Sequence, residues 1–325
     1  MNSTTVSVII PAYNVSPYVQ EALHSLSRQD VLPDEVIIID DGSLDDTLAV
    51  IQAFPHPYPV RILSTGNQGQ GAARNLGISL SSGDYIYFFD ADDMLSTGFV
   101  GAMKGIVEEN AFPDIVFFSG EIFCDEAAEG LFSMDYRRGF NGTYHSPLEL
   151  LRAFGEAGRI SCSPCLYLSR RSLWVDTPLA FIEHYHEDEH ILYPLILSAG
   201  SYHVTDDLYF FRRVRHGSTV TQAKSVRHIL GYRDTIRSLL QLHRDLPDPE
   251  IKRFIRYRAV HFMKKYVFHA TRNGIAMDAR FLSSTLLGFR SAELFAYVIY
   301  RGGGALSRNV IRRVLGEQAG VEASG

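Results

Sequence analysis

Cysteine is scarce in this chain: Cys124, Cys162 and Cys165 are the three present in 325 residues. Three thiols cannot staple a disulfide scaffold, and they fit a reducing compartment. Long apolar runs are missing too. The longest late one, Leu294 to Tyr300, falls far short of the roughly 20 residues that a membrane-spanning helix needs. The opening residues, MNSTT, carry neither the basic region nor the apolar stretch of a secretory leader, so a cytoplasmic location is expected. There is no Walker sequence. Gly69-Gln70-Gly71-Ala72-Ala73-Arg74 half-resembles a dinucleotide fingerprint, but Arg74 occupies the third glycine position and the stretch does not follow the first strand. Cys162 and Cys165 make a CxxC without a second pair or a redox context, which argues against zinc and redox chemistry.

What is present suffices for a real core: 46% apolar residues and 12% aromatics exclude disorder as the default. The net charge of −6 hides an asymmetry. Residues 1–225 carry 14 Lys and Arg against 29 Asp and Glu, whereas residues 226–316 carry 17 against 6. An acidic part followed by a basic one suggests two jobs, and we place the boundary between residues 222 and 223. The basic part, with Lys252, Arg253, Arg256, Lys264 and Lys265, suits phosphates or anionic lipid headgroups and a peripheral position on the inner face of a membrane. A solvated basic face is the plain alternative. Nucleic acid is disfavoured, because the acidic part would repel it.

Apolar runs alternate with helical patterns about every 25 residues. Val6 to Ile10, Glu35 to Ile39, Val60 to Leu63, Tyr85 to Phe89 and Ile115 to Ser119 read as buried strands. Helices are expected from Ser16-Pro17 to about Gln29, then through Phe54, over Gly69 to Leu80, and over Ser96 to Asn110 with Ser96 as N-cap. This alternation predicts an α/β fold around a mostly parallel, doubly wound sheet. Further on, Cys162 to Leu168, Tyr202 to Val204 and Leu208 to Val214 read as strands, and Asp188 to Ser198 as a helix. The region beyond about Ala223 is helical, with breaks at Pro247-Asp248-Pro249, Asn273-Gly274 and Gly302-Gly303-Gly304. The stripe Ile251, Phe254, Ile255, Arg258 and Phe262 has helical spacing.

Three strands end in acids or a polar loop. Pro11-Ala12-Tyr13-Asn14 follows the first, Asp40-Asp41-Gly42-Ser43 the second, and Asp90-Ala91-Asp92-Asp93 closes the aromatic run YIYFF. Open α/β sheets bind ligands at this edge. Clustered carboxylates repel one another unless a cation or donors compensate, so a divalent metal held by hard oxygens is the simplest reading. A polar loop capping the next helix accounts for one polar residue and not for three acids.

VSVIIPAYN, EVIIIDDGSLDDT and GQGAARNLGISLSSGDYIYFFDADDML, in this order and spacing, resemble the inverting nucleotide-sugar glycosyltransferases of family 2, which have the GT-A fold. The resemblance covers about residues 5–218 and implies a GT-A nucleotide-diphospho-sugar transferase fold, with the C-terminal helical region outside it. It implies that Pro11, Ala12, Tyr13, Asn14 and Asp41, with Asp40 close by, surround the base of a nucleotide-sugar donor, most simply a UDP-sugar. It also implies that Asp90, Ala91 and Asp92 form a DxD motif engaging ribose and a Mn²⁺ or Mg²⁺ ion on the diphosphate. Asp92 is then the metal ligand, Asp90 the second one, and Asp93 caps or orients.

Inversion needs a base on the far face of the sugar. The resemblance assigns this to the segment HYHEDEHIL, with Asp188 as base and Glu187 beside it; a charged helix start is the plain alternative. Arg213, Arg215 and Ser218 match the family's basic loop over the diphosphate, His216 is a possible third metal ligand or a solvated loop residue, and Arg74 is a further diphosphate candidate. The CxxC falls at the floor of an acceptor pocket. The expected activity is extension of a cell-surface polysaccharide or lipid-linked saccharide acceptor. A sugar-nucleotide pyrophosphorylase also places acids at strand ends, but needs a Gly-rich, basic signature after strand one that PAYNVSPY lacks. A binding module that kept the nucleotide site without turnover is the non-enzymatic alternative.

Overall fold

The structure, a computed structural model, describes residues 3–124, 134–215, 225–301 and 310. They fall into two units. The first holds the described residues up to Glu183 and those from Ile191 to Arg215; the second holds His184–His190 and the described residues from Ser225 onward. The boundary expected at 222/223 lies outside the described residues. A short segment that sequence reading gave to the first part, His184–His190, groups instead with the second.

In chain order the first unit begins β1 (Val6–Ala12), α1 (Val19–Ser27), β2 (Glu35–Asp40), α2 (Thr47–Ala53), β3 (Val60–Ser64), α3 (Gln70–Leu80) and β4 (Tyr85–Phe88). It continues with β5 (Met94–Leu95), α4 (Phe99–Glu109), β6 (Ile115–Cys124), β7 (Gly142–Tyr144), α5 (Pro147–Ala157), β8 (Tyr167–Arg170) and α6 (Ser172–Val175). Helix α7 (Glu187–Ser198) leads to β9 (Tyr202–Val214). The sheet runs β3-β2-β1-β4-β8-β6-β9-β5, with β7 on β9. Strands β3, β2, β1 and β4 are mutually parallel, as is β6 with β9, while β8 is antiparallel to both of its neighbours. The doubly wound part is therefore the first four strands, and the rest of the sheet is mixed.

Strands β1, β2 and β4 are buried along their length because each face is covered. Val6, Val8 and Ile10 of β1 and Val36 and Ile38 of β2 join a large core with α1, α2 and α4. Ile37 and Ile39 turn the other way, onto Ala73, Leu76 and Leu80 of α3. On β4 the phenols of this pattern need partners: Tyr85 donates to the Pro113 carbonyl (2.7 Å) and Tyr87 to that of Cys165 (3.1 Å). Strand β1 does not stop at Pro11. It pairs with β2 through Ala12, whereas its last pair with β4 is Ile9 with Phe88. The Ile9 carbonyl faces β4 and that of Ala12 faces β2, so by alternation Pro11 faces the β4 side beyond the last pair, where no N–H is needed.

The second unit adds α8 (Val226–Asp245), α9 (Pro249–Arg272), α10 (Ala279–Phe289) and α11 (Ala292–Arg301). The Pro-Asp-Pro break is a helix start: Asp248 accepts from the N–H groups of Glu250 and Ile251, with Pro249 in the first turn. The buried stripe of α9 is Ile251, Ile255, Ala259, Phe262, Met263 and Tyr266. Among the described residues, no helix is long and apolar enough to cross a membrane.

At the N-terminal edge of the sheet, Glu35 ties β1 to β4. Its carboxylate accepts from Ser7 Oγ (2.5 Å), Ser82 Oγ (2.9 Å) and Gly83 N (3.1 Å), and from Ser82 N. Burial alone would raise its pKa, but these donors outweigh burial and hold it below the usual value of 4.5. A depressed folded-state pKa stabilises fully above the unfolded value, and the contribution is lost as pH falls through the folded value. Replacing Glu35 by Ala should therefore cost about 2–3 kcal/mol at pH 7. Urea unfolding from pH 6 down to pH 3 should show a flatter loss of stability in Glu35→Gln than in the wild type.

Candidate functional site

The order of the strands creates the site. Strands β2 and β3 lie on one side of β1, and β4 on the other, so the chain reverses its direction across the sheet at the β3-to-β4 crossover, and the carboxyl ends of β1 and β4 stand at the switch point where open α/β sheets form a binding crevice. Every loop there carries a polar group, and the loops are stitched to each other. Asn14, at φ +50°, donates its N–H to Ser43 Oγ (3.0 Å) and accepts from Leu44 N (2.8 Å). Ser16 N donates to Asp45 (3.1 Å), and Val15 N to Thr47 Oγ1 (2.8 Å). Tyr13, at the tip, is 42% exposed.

Asp40 and Asp41 are both buried. Asp40 accepts from Ser64 Oγ (2.8 Å) and Ser43 N (3.3 Å). Asp41 accepts from the N–H groups of Gln68 (2.9 Å) and Gly69 (2.7 Å), so this acid shapes the loop that enters α3. Gly71 follows because a Cβ there would stand 2.1 Å from the Ile182 carbonyl oxygen; the GQG pattern serves close backbone packing.

From α3, two side chains reach across to β4. Gln70 Nε2 donates to Asp90 Oδ1 (2.8 Å), and so does the guanidinium of Arg74 (2.9 Å). Arg74 is 2% exposed and lies against the ring of Phe181. It therefore meets the crevice through Asp90. Asp92 is engaged from just past β9, where Arg215 Nε donates to its Oδ2 (2.9 Å). Arg213 sits deeper: its N–H donates to Asp93 (2.8 Å), its Nε to the Asp92 carbonyl (2.9 Å), and its guanidinium pairs with Glu21 of α1. Both arginines lie over the ring of Tyr18. Ala91 is buried between these acids. Ser218 and His216 lie outside the described residues.

Burial raises the Asp92 carboxyl, Arg215 pulls it back down, and Asp90 pushes it up again. Asp93 is raised further, by burial and then by Asp92 and Asp90. The Cys165 thiol is also pushed up by burial and by the neighbouring acids. Oxygens of Asp90 and Asp93 and the sulfur of Cys165 lie within 4.8 Å of one another. That trio suits a hard cation poorly, since Asp93 is buried and engaged by Arg213 and the thiol is held in its neutral form. Asp90 and Asp92 keep 19% and 20% side-chain exposure and carry hard oxygens of the kind that suit Mg²⁺ or Mn²⁺, each paired with an arginine, Arg74 and Arg215.

The structure thus brings together Pro11–Asn14, Asp40, Asp41, Arg74, Asp90–Asp92, Arg213 and Arg215 on one edge of the first unit. Asp188 and Glu187 belong to the second unit, where they open α7; Asp188 Oδ1 accepts from Glu189 N (2.7 Å). Sequence reading missed Gln70, Tyr18 and Glu21. Gln70 stands four residues before Arg74, on the same helix face, which was the available signal.

Comparison with known proteins gives one family and one fold. Residues 7–165 match the family model described as Glycosyl transferase family 2. An uncharacterized glycosyltransferase of Escherichia coli, YibD, is 43% identical over 95 residues, 29% of this chain and 28% of that protein. The chondroitin synthase of E. coli is 44% identical over 91 residues, 28% of this chain and 13% of the synthase. The chain thus matches less than a third of the length of these relatives. Residues 1–349 of Staphylococcus aureus TarS, solved in complex with UDP-GlcNAc, superpose with a TM-score of 0.70 at 18% identity, covering 98% of this chain and 92% of that one. This likeness shows the GT-A fold.

Replacing Arg74 by Met should leave Asp90 facing Asp92 and Asp93 without its buried counter-charge. A loss of about 3 kcal/mol in urea unfolding is expected, and Asp90→Asn in the same background should recover part of it.

Proposed function

We propose, on the premise that residues 7–165 belong to glycosyl transferase family 2, that this protein moves a sugar from a UDP-linked donor to a saccharide or lipid-linked acceptor in bacterial surface polysaccharide synthesis. The observation that carries the reading is the set Asp41, Asp90, Asp92, Arg74 and Arg215 on the carboxyl edge of β1, β2 and β4. Tyr13 and Asp41, with Asp40 behind them, receive the base, an exposed ring and buried acceptors being suited to a planar group with N–H donors. The uridine assignment leans on the TarS complexes with UDP-GlcNAc and with UDP.

Asp92 and Asp90 would hold Mn²⁺ or Mg²⁺, and the ion, when bound, supplies positive charge against the diphosphate as it departs. Arg215, poised over Tyr18 beside Asp92, adds a guanidinium fork for the same oxygens. The acceptor oxygen attacks the anomeric carbon opposite the leaving group, a new glycosidic bond forms as the bond to the β-phosphate breaks, and the configuration inverts. The acceptor's proton passes to the carboxylate of Asp188, with Glu187 beside it. The basic face of α9, including Arg253 and Arg256 beside the 76% exposed ring of Tyr257, is suited to anionic headgroups and would keep the enzyme near a lipid-linked acceptor.

A thermal-shift panel of nucleotide sugars with Mn²⁺ should single out a UDP-sugar. Asp92→Asn should weaken metal-dependent donor binding and lower turnover by about 100-fold or more; full activity would remove it as a ligand. Asp188→Asn should keep UDP binding and lose turnover by about 100-fold, and unchanged turnover would remove it as the base. Co-sedimentation with phosphatidylglycerol vesicles should fall in Arg253→Glu/Arg256→Glu at unchanged turnover in solution.

A further inference from the structure

The residues flanking Asp188 are held almost one by one by α8 and α9. His184 Nε2 lies 3.7 Å from Asp234. The ring of Tyr185 stacks on His228, with centroids 3.8 Å apart and planes 7° from parallel. His228 is fixed in turn, its Nδ1 accepting from Ser225 N (3.1 Å) at the start of α8. The ring of His186 stacks on Tyr232, at 4.0 Å and 17°. Glu189 forms an ion pair with Arg258, whose Nε lies 3.2 Å from Glu189 Oε2 and whose guanidinium lies over Phe262.

The backbone at this place is constrained as well. His186 has φ +72°, in the left-handed region that few residues other than glycine adopt, although histidine enters it more readily than most. Gly231 of α8 lies so close to the segment that a Cβ there would stand 1.9 Å from the Tyr185 carbonyl oxygen. From this turn α7 starts at once, with His190 N donating to His186 O (3.0 Å). Asp188 thus sits in the first turn of a helix whose entry is clamped by two ring stacks on one side and by a largely buried ion pair on the other.

We infer that His228, Tyr232 and Arg258 of the helical unit are positioning residues for Asp188, so that this unit is part of the machinery for proton removal and not an appendage. The inference rests on the reading of Asp188 as the base. Its chemistry is general: an acid that must lie within hydrogen-bond reach of an attacking hydroxyl loses effectiveness steeply when displaced, and misplacement by about 1 Å costs on the order of 100-fold. Arg258 is the most direct handle. It neutralises Glu189, the residue next to Asp188, and removing it leaves that carboxylate largely buried beside the base with weaker anchoring.

The test is a mutant cycle on the full chain, read as UDP release from whichever UDP-sugar of the nucleotide-sugar panel the wild-type protein turns over with Mn²⁺. Arg258→Met, which keeps the aliphatic stem, should lower kcat by about 10- to 100-fold with the donor KM and UDP affinity unchanged. Arg258→Lys should restore part of kcat. Adding Arg258→Met to Asp188→Asn should cost nothing further, because two changes acting through one group are not additive. A wild-type level of kcat in Arg258→Met, or a full additional loss in the double variant, overturns the inference. An Asp188→Asn variant with wild-type turnover, or a wild-type protein that turns over no nucleotide sugar, overturns the proposed function instead. Should Arg258→Met fail to fold, Tyr232→Leu and His228→Gln carry the same kcat-against-KM comparison, since they remove a stacked ring without removing a charge, and wild-type kcat in both overturns the inference.

Discussion

Three carboxylates at the end of one buried strand are the constraint around which the first unit is arranged. Asp90, Asp92 and Asp93 follow β4 directly, and burial adds to their mutual repulsion. Each has its own positive or donating neighbour: Arg74 and Gln70 for Asp90, Arg215 for Asp92, and the Arg213 N–H for Asp93. These neighbours come from α3 on one side and β9 on the other. The antiparallel pairing of β5 with β9 therefore matters to the site, because Met94, next to Asp93, pairs with Phe211, which sets Arg213 and Arg215 beside the acids. The same arrangement explains why Arg213 is buried: its guanidinium ties together the Asp92 carbonyl, Glu21 and two aromatic rings.

Much of this was legible before any coordinates. The runs at Val6, Glu35 and Tyr85 announced buried strands, and the polar loop and acid pairs that ended them pointed to the sheet edge on which the structure gathers them. Local rules misplaced details that tertiary context decides. Ser16-Pro17 promises a helix start, yet α1 begins at Val19, after a turn in which the N–H groups of Tyr18 and Val19 both donate to the Val15 carbonyl. Ser96 offers a cap, but α4 begins at Phe99 after Gly98. Tyr202–Val214 forms one strand where the polar Thr205-Asp206-Asp207 suggested two; β6 pairs with both ends, and the register shifts beside them absorb the interruption.

The least legible feature was the allegiance of His184–His190. Sequence position puts it between strands of the first unit, and its acids read as an ordinary charged helix start. Its partners His228, Tyr232 and Arg258 lie some 40 to 70 residues further on, at positions whose helical spacing suggests only core and solvent. Pairwise stacking of rings from distant segments leaves no period in the sequence. It becomes visible only when burial and backbone strain at His186 are seen together.

The late place of Arg213 and Arg215 in the chain has a consequence for synthesis. Arg74 precedes Asp90 in the chain, so that acid meets its partner as soon as α3 and β4 dock. Asp93 and Asp92 wait for Arg213 and Arg215, which are 120 and 123 positions away. At ribosomal rates of about 5–20 residues per second, that interval is on the order of ten seconds. During it, the nascent chain can already assemble β1 to β4 but must keep two acids hydrated at an edge that is later closed. The acid edge is thus the last part of the sheet to gain its basic partners, completed only when the residues around the end of β9 arrive.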